Sequence, residues 1–318
     1  MNPHDPWSDI AANVPSGQLH ARRVDALHPI DFYWAVDARG HRMLRYSARD
    51  LDVTLPLPSL QGIQIELSES ALDLRLVQGA DLAIFTTLCF SLIEITRRID
   101  ETRAVIDRVL SHLERWQRFM GKAYRGLLTD QEIRGLFCEL VFLDAELISR
   151  FGESAIRYWR GPAGEPQDFC VGTTLFEVKS HLAGAAPIFM ISSAEQLWHS
   201  SGNLYVAGYS IGESMQADAV SLQELVCRIR GKLTRVDLQN SFEDSLVSVG
   251  YVDHPEYFSP KFSTSFPDYY EVRDNFPKIT SDGIAPGICR LKYGIEIPAC
   301  LQYKAMVNWS ELGAEIGN

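Results

Sequence analysis

The stretch Gln167–Ser180, QDFCVGTTLFEVKS, sets the tightest limit on how this chain can fold. Gly172-Thr173 separates two short runs by two residues, and glycine in the first of those positions suits a type II′ hairpin. With that turn, Val171 faces Thr174, Cys170 faces Leu175, Phe169 faces Phe176, and Asp168 falls opposite Glu177. Directly opposed residues have Cβ atoms about 4.5–5.5 Å apart. Alternation along the second strand puts Glu177 and Lys179 on one face and Phe176 and Val178 on the other. The hairpin therefore gathers two carboxylates and an ammonium on a single face. Like charges directly opposed are destabilising. Such a pair persists when a cation sits between the carboxylates, or when one of them takes up a proton. Lys179 supplies some compensation; a divalent ion supplies more, and hard oxygen ligands suit Mg²⁺. The same residues also read as a surface hairpin with a solvated Glu–Lys pair. Leu175, Phe176 and Val178, all apolar, favour a central strand over such an edge.

A helix is expected just before the hairpin, from Asp130 to about Arg150. Thr129 and Asp130 are N-cap candidates, and Glu132 lies in the first turn, where a carboxylate suits the helix dipole. Leu136, Leu140, Leu143 and Leu147 recur at i, i+4, i+7 and i+11 and form the buried stripe. Glu139 sits beside that stripe. It either snorkels to water from the stripe's edge or supplies a third carboxylate to the hairpin's cluster. After the helix come expected strands at Ala155–Trp159, Gln167–Val171, Thr174–Ser180 and Ile188–Ser192, a short helix near Ser193–His199, and a strand at Leu204–Ser210. The order is helix, three strands, helix, strand.

The chain's 318 residues are about two ordinary domains by length, and the patterning divides them into three regions. Region 1–125 is β-rich and then helical, with strands at Asp31–Asp37, Arg42–Tyr46, Gly62–Leu67 and Ala71–Val77. Helical periodicity runs from Gly79 to about Lys122, with a break around Tyr124–Asp130. Region 126–215 holds the segment described above. Region 216–318 is an accessory α+β part, with helices at Leu222–Leu233 and Gln239–Val247, strands near Tyr269–Val272 and Cys289–Ile297, and a last helical stretch from Ala299. The fold class is α/β, α+β overall.

Charge narrows the function classes. Thirty Lys and Arg face 41 Asp and Glu, a net −11, so a non-specific cationic wrapper of nucleic acid or anionic membrane is excluded. Any positive surface has to be local or lent by a partner. Arg97 to Arg125 is one locally basic stretch, read either as phosphate-neutralising or as a solvated helix face. The aromatics Phe32-Tyr33-Trp34 and Asp268-Tyr269-Tyr270 read as base-stacking groups or as core. The longest nearly apolar run, Leu82 to Ile93, is shorter than the roughly 20 residues a bilayer requires. MNPHDPWSDI has no basic region leading into an apolar stretch, so no signal peptide is expected and the expected location is the cytoplasm. The six cysteines form no C-x-x-C pair and are expected to be buried reduced thiols. No P-loop, G-x-S-x-G or H-E-x-x-H motif is present, which leaves ATP use and serine or zinc hydrolysis unsupported.

Helix-borne Glu139, Asp168 in a DF strand, and Glu177-Val178-Lys179 together resemble the PD-(D/E)XK nuclease superfamily. More narrowly, the run GLFCEL…YWRGP…QDF…FEVKS…ISSAEQL resembles a prokaryotic PD-(D/E)XK-motif family found with restriction–modification and phage-defence genes. The resemblance is strong across Arg134–Leu197 and weaker outside it. Gln167 departs from the superfamily pattern, which has Pro there; Pro166 stands one place earlier. The resemblance implies a restriction-endonuclease-like core (αβββαβ). It implies that Asp168 and Glu177 ligate Mg²⁺, for which Mn²⁺ can substitute, with Glu139 assisting directly or through water. Lys179 would orient or deprotonate the attacking water, its pKa lowered by burial and the metal. Glu195 and Gln196, in the helix after the sheet, are supporting candidates; His181 is a further residue on the Lys179 face. The implied activity is metal-dependent endonucleolytic hydrolysis of DNA within a restriction or antiphage defence system, as a homodimer or with other subunits and without a membrane. The other reading is a non-catalytic DNA-recognition or assembly subunit on the same fold.

Overall fold

The computed structural model describes residues 5–11, 18–97, 99, 102–120, 127–199 and 201–316. They fall into two compact units, Met1–Leu127 with Gly250–Glu256, and Leu128–Val249 with Tyr257–Asn318. The architecture is mixed, with helices and separate sheets.

The first unit begins with the short helix α1 (Ser8–Ala11). Strands β1 (His20–Arg23), β2 (Phe32–Val36), β3 (Arg42–Ser47), β4 (Ile63–Ser68) and β5 (Ala71–Leu76) follow and form an antiparallel sheet in the order β1-β2-β3-β5-β4. Trp34 pairs with Leu44, and Leu44 with Leu74, so one register line crosses three strands with buried apolar side chains. Helix α2 (Leu82–Thr96) starts at Asp81, whose carboxylate accepts from the N–H groups of Ala83 and Ile84. Its Phe85, Leu88 and Leu92 join Val105, Val109, Leu113 and Trp116 of α3 (Thr102–Met120) and the sheet in one core. Val252, from the returning segment, completes that core. The run Leu82–Ile93 is thus core helix; among the described residues no helix is long and apolar enough to cross a membrane.

Four of the five strands here match expectation to within a residue or two; β1 has no counterpart in the sequence reading. Phe32 and Trp34 are core side chains, not stacking platforms. In the basic stretch, Arg97 is paired with Asp25 and Glu94, and Arg103 with Asp107 and Asp52. Arg98, Lys122, Arg125 and the break at Tyr124 lie outside the described residues.

In the second unit, α4 (Asp130–Val141) opens with a reciprocal cap. Thr129 Oγ1 accepts from Glu132 N, and Glu132 Oε2 accepts from Thr129 N at 2.8 Å. The helix continues as a π-helical stretch, Phe142–Ile148, and one more α turn, α5 (Ser149–Phe151). All four leucines of the stripe are buried. Strands β6 (Phe169–Val171) and β7 (Thr174–Leu182) form the hairpin in the register read from the sequence, with Gly172 at φ +59° as the turn demands. Phe142 packs on both Phe169 and Phe176, with ring centroids 4.9 and 5.2 Å apart.

Strand β9 (Leu204–Glu213) runs parallel to β7. Beyond it lie β11 (Lys261–Thr264) and β10 (Val220–Ser221), giving the order β10-β11-β9-β7-β6. Strand β12 (Asp268–Glu271) pairs with the other half of β9. Helices α6 (Leu222–Lys232) and α7 (Val236–Ser248) lie close to expectation. The chain ends in β13 (Tyr293–Glu296), the short α8 (Ile297–Cys300) and α9 (Trp309–Ile316), whose Trp309 stacks on Phe176 at 5.5 Å.

Three expected elements differ. Ala155–Trp159 is no strand; Glu153–Tyr158 is a 3₁₀ helix, because adjacent Ala155 and Ile156 are both buried, which a half-exposed strand does not allow. The strand β8 (Ile188–Ile191) leaves the main sheet and pairs with β13. It still packs close: a Cβ on Gly208 of β9 would stand 2.4 Å from the Phe189 ring, so only glycine fits there. The helix expected at Ser193–His199 is a single 3₁₀ turn, Ala194–Leu197. Trp198 N donates back to Glu195 O to close the turn, and a side chain described below also donates to its carbonyls. Tyr270 is core. All six cysteines are free; Cys89, Cys138 and Cys300 are buried, whereas Cys170 and Cys227 are half-buried and Cys289 is exposed.

Candidate active site

Three parts of the chain deliver Glu139, Asp168, Glu177 and Lys179 to one cavity of about 750 Å³. Strand β7 supplies Glu177 and Lys179 from alternate positions. Asp168 stands just ahead of β6. The ladder ends at Phe169–Phe176, so Asp168 is not a plain cross-strand partner of Glu177. Its Oδ2 instead accepts from Val178 N at 2.7 Å, and its carbonyl accepts from Arg160 N (2.7 Å) and Gly161 N (3.1 Å). Both its backbone and its side chain are therefore held. Glu139 reaches the cavity from α4, where Trp159 Nε1 donates to its Oε2 at 2.9 Å.

Glu177 is 0% exposed. Lys179 Nζ stands 2.6 Å from its Oε1, yet neither carboxylate oxygen receives a directed hydrogen bond. Lys179 also donates to Gln196 Oε1 at 3.1 Å, an oxygen that accepts from Ser192 N at 2.9 Å as well. Gln196 is thus brought to the group. Glu195 is not: its carboxylate is exposed and engaged with its own backbone and Ser193. His181 lines the same cavity.

Three carboxylates around one ammonium leave excess negative charge in a poorly solvated place. Burial pushes the Glu177 carboxyl well above its ordinary range, and the charge of Asp168 adds to the effect. Burial, with Asp168 second, pushes Glu139 up to about 8. Burial also raises Asp168, opposed by Lys179 and the Val178 N–H. For Lys179 burial pulls the pKa down, but Glu177, Asp168 and Glu139 together outweigh it, so the net direction is up. In the metal-free protein the surrounding carboxylates hold the ammonium; the lowering expected from the sequence belongs to Lys179 beside a bound cation.

The donor set fits a hard divalent cation. Both Glu177 oxygens are buried, Oε1 being ion-paired with Lys179 and neither taking a directed hydrogen bond, and Asp168 presents Oδ1 while its Oδ2 is occupied by the Val178 N–H. A Cβ on Gly161 would lie 3.2 Å from Asp168 Oδ1 and 3.8 Å from Glu139 Oε2, so the glycine keeps the space between those carboxylates clear. Among the described residues no group of three His, Cys, Asp or Glu side chains is placed to hold a metal ion by itself, so the fit rests on Asp168 and Glu177 with water completing the shell. An open site of one or two carboxylates plus water is the usual way to hold Mg²⁺.

Sequence reasoning missed three contributors. Trp159 and Gly161 lie in YWRGP, which entered only through the family resemblance. Gln167, read as a departure from a proline position, is 8% exposed and has a structural task. Its Nε2 donates to the carbonyls of Glu195 (3.0 Å), Gln196 (3.2 Å) and Trp198 (3.0 Å), tying the Gln196 turn to the strand that carries Asp168. The residue type was the signal: proline has no side-chain donor, and a buried amide must find acceptors.

These shifts predict a pH dependence. Between the ordinary carboxyl value of 4.5 and about 8, folded Glu139 retains a proton that the unfolded chain has released. Metal-free stability therefore falls as pH rises through that window. Glu139→Gln should make the fall shallower, read from urea unfolding in EDTA between pH 5 and 8. A variant curve as steep as wild type would show that Glu139 does not titrate this way.

No curated protein and no solved structure gives a significant match to the chain. Residues 4–298 match the model of the family described as "Putative PD-(D/E)XK family member" (DUF4420), and with nearly the whole chain covered, the protein belongs to that family.

Proposed function

We propose that the protein is a Mg²⁺-dependent endonuclease that hydrolyses DNA phosphodiester bonds. The observation that carries this reading is the convergence of Glu139, Asp168, Glu177 and Lys179 on one cavity, with the Glu177 carboxylate fully buried and, among the described residues, ion-paired only with Lys179. Asp168 and Glu177 would hold the cation, and Glu139 would assist directly or through water. A bound divalent ion neutralises charge on phosphoryl oxygens and lowers the pKa of water. Lys179, held by Glu177 and Gln196, would orient or deprotonate the attacking water. Trp159 holds Glu139, and the Val178 N–H holds Asp168, so neither carboxylate has to be ordered during the reaction.

We read α4, β6, β7, β8, the 3₁₀ turn and β9 as a restriction-endonuclease-like core within 126–215, with 1–125 and 216–318 as flanking parts. The chain order and the parallel β7–β9 pair support this. A place in restriction or antiphage defence, as a homodimer or with partner subunits, is supported by the resemblance across Arg134–Leu197.

The test is supercoiled plasmid incubated with Mg²⁺ or Mn²⁺, with the protein alone and with the products of neighbouring genes. Wild type is expected to nick it, EDTA to stop the reaction, and Asp168→Ala and Lys179→Ala to leave the plasmid intact. Nicking that survives both substitutions would remove this site from the reaction.

A further inference from the structure

The cavity does not end at the carboxylates. It continues along the N-terminal half of α4, where Gln131, Arg134 and Gly135 line it, and Lys292 lines it from the segment before β13. Arg134 is half-buried and Lys292 exposed. Among the described residues neither makes an ion pair or a hydrogen bond. The other charges facing this space are spoken for. Glu132 is consumed by Thr129 in the helix cap, and Lys179 by Glu177 and Gln196. Two uncommitted cations therefore share a cavity with a carboxylate cluster, in a chain of net charge −11.

Gly135 adds an independent observation. Glycine inside a helix is unfavourable relative to alanine. No packing requires it, because an added Cβ would meet nothing within 4 Å. The open side of that position is the cavity, so the glycine leaves a bare stretch of helix backbone beside Arg134.

We propose that Arg134 and Lys292 bind backbone phosphates flanking the scissile one, and that Gly135 leaves room for the nucleic-acid strand to lie against α4. This rests on the nuclease reading and adds its substrate track. Arg134 precedes Glu139 by five residues, about 7.5 Å of helix rise, a distance on the scale of neighbouring phosphates in one strand. The guanidinium fork suits a phosphate's paired oxygens, and the lysine serves as a point charge.

The test measures binding of a labelled DNA duplex by the full chain in Ca²⁺ across a salt series. Arg134→Ala and Lys292→Ala should each weaken binding about tenfold at low salt and reduce the slope of log K against log salt by about 1. A merely structural role would not change that slope. Gly135→Leu should keep or raise the melting temperature while weakening binding, two effects of opposite sign. Unchanged affinity and slope in both cation variants would overturn the proposal, and so would a wild type that does not bind duplex DNA. The two readings part cleanly. Plasmid nicking by wild type with unaltered slopes in the variants removes the track and keeps the nuclease. Slopes altered as expected in a protein that never nicks keep the track and remove the nuclease.

Discussion

Glu177→Gln is expected to slow plasmid nicking by roughly 10²–10³-fold or more and, at the same time, to raise the melting temperature of the metal-free protein. The two effects have one cause. Glu177 is fully buried, its oxygens lack directed hydrogen bonds, and Asp168 repels it. A neutral amide of the same shape removes a desolvated charge, and Lys179 still has Asp168, Glu139 and Gln196 around it. Removing one partner of a buried pair costs about 3–5 kcal/mol when it strands the other charge; here Lys179 keeps Asp168 and Glu139, so relief of the carboxylate repulsion sets the sign, and each kcal/mol moves the midpoint by about 2–4 °C in a unit of this size. The amide carries no charge for a cation, so the added stability comes with lost function. Thermal melts in EDTA and in Mg²⁺ read this directly: Mg²⁺ should raise the wild-type midpoint and leave the variant's unmoved. A variant that melts below wild type in EDTA would refute the charge argument.

Gln167→Leu should cost both stability and rate. It strips three carbonyls, those of Glu195, Gln196 and Trp198, of their shared donor. Losing a buried partner costs about 1–3 kcal/mol for each group left unmatched; Glu195 O keeps the Trp198 N–H, so the loss falls on Gln196 and Trp198. The turn then loses its tie to the Asp168 strand, and Gln196 no longer presents Oε1 to Lys179 in a fixed place. Nicking is expected to fall about tenfold or more, since misplacement by an ångström has effects on that scale, and the pH–rate profile should shift with the altered Lys179 environment. Gln167→Glu, which keeps the size but loses the donor when ionised, should behave like leucine at high pH and recover toward wild type at low pH. Equal loss for Gln167→Glu at every pH would point to simple unfolding of the turn.

The hairpin was legible because a two-residue turn leaves no freedom of register, and strand alternation then assigns faces. Glu139 was legible because helical spacing places it beside a leucine stripe. What escaped had distant causes. Trp159 meets Glu139 across 20 residues, from just past a 3₁₀ segment whose apolar residues mimic a strand. The acceptors of Gln167 lie 28 to 31 residues downstream, invisible to any local pattern. Strand β8 reads as a third sheet member because its true partner, β13, comes about a hundred residues later. The metal-free titration of Lys179 depends on how many carboxylates surround one ammonium, and the strand pattern reveals only two of the three.

The first unit's core contains Val252, which belongs to a stretch interrupting the second unit in sequence. During synthesis, the N-terminal hydrophobic cluster is therefore incomplete until the ribosome has passed that residue. By then α4, the hairpin and β9 have already emerged. A fragment that stops near residue 127 would expose the socket Val252 fills, and one that begins there would carry a valine with nowhere to go. Neither half can be cut out as a single uninterrupted piece of chain, so biogenesis of the two is interleaved rather than successive.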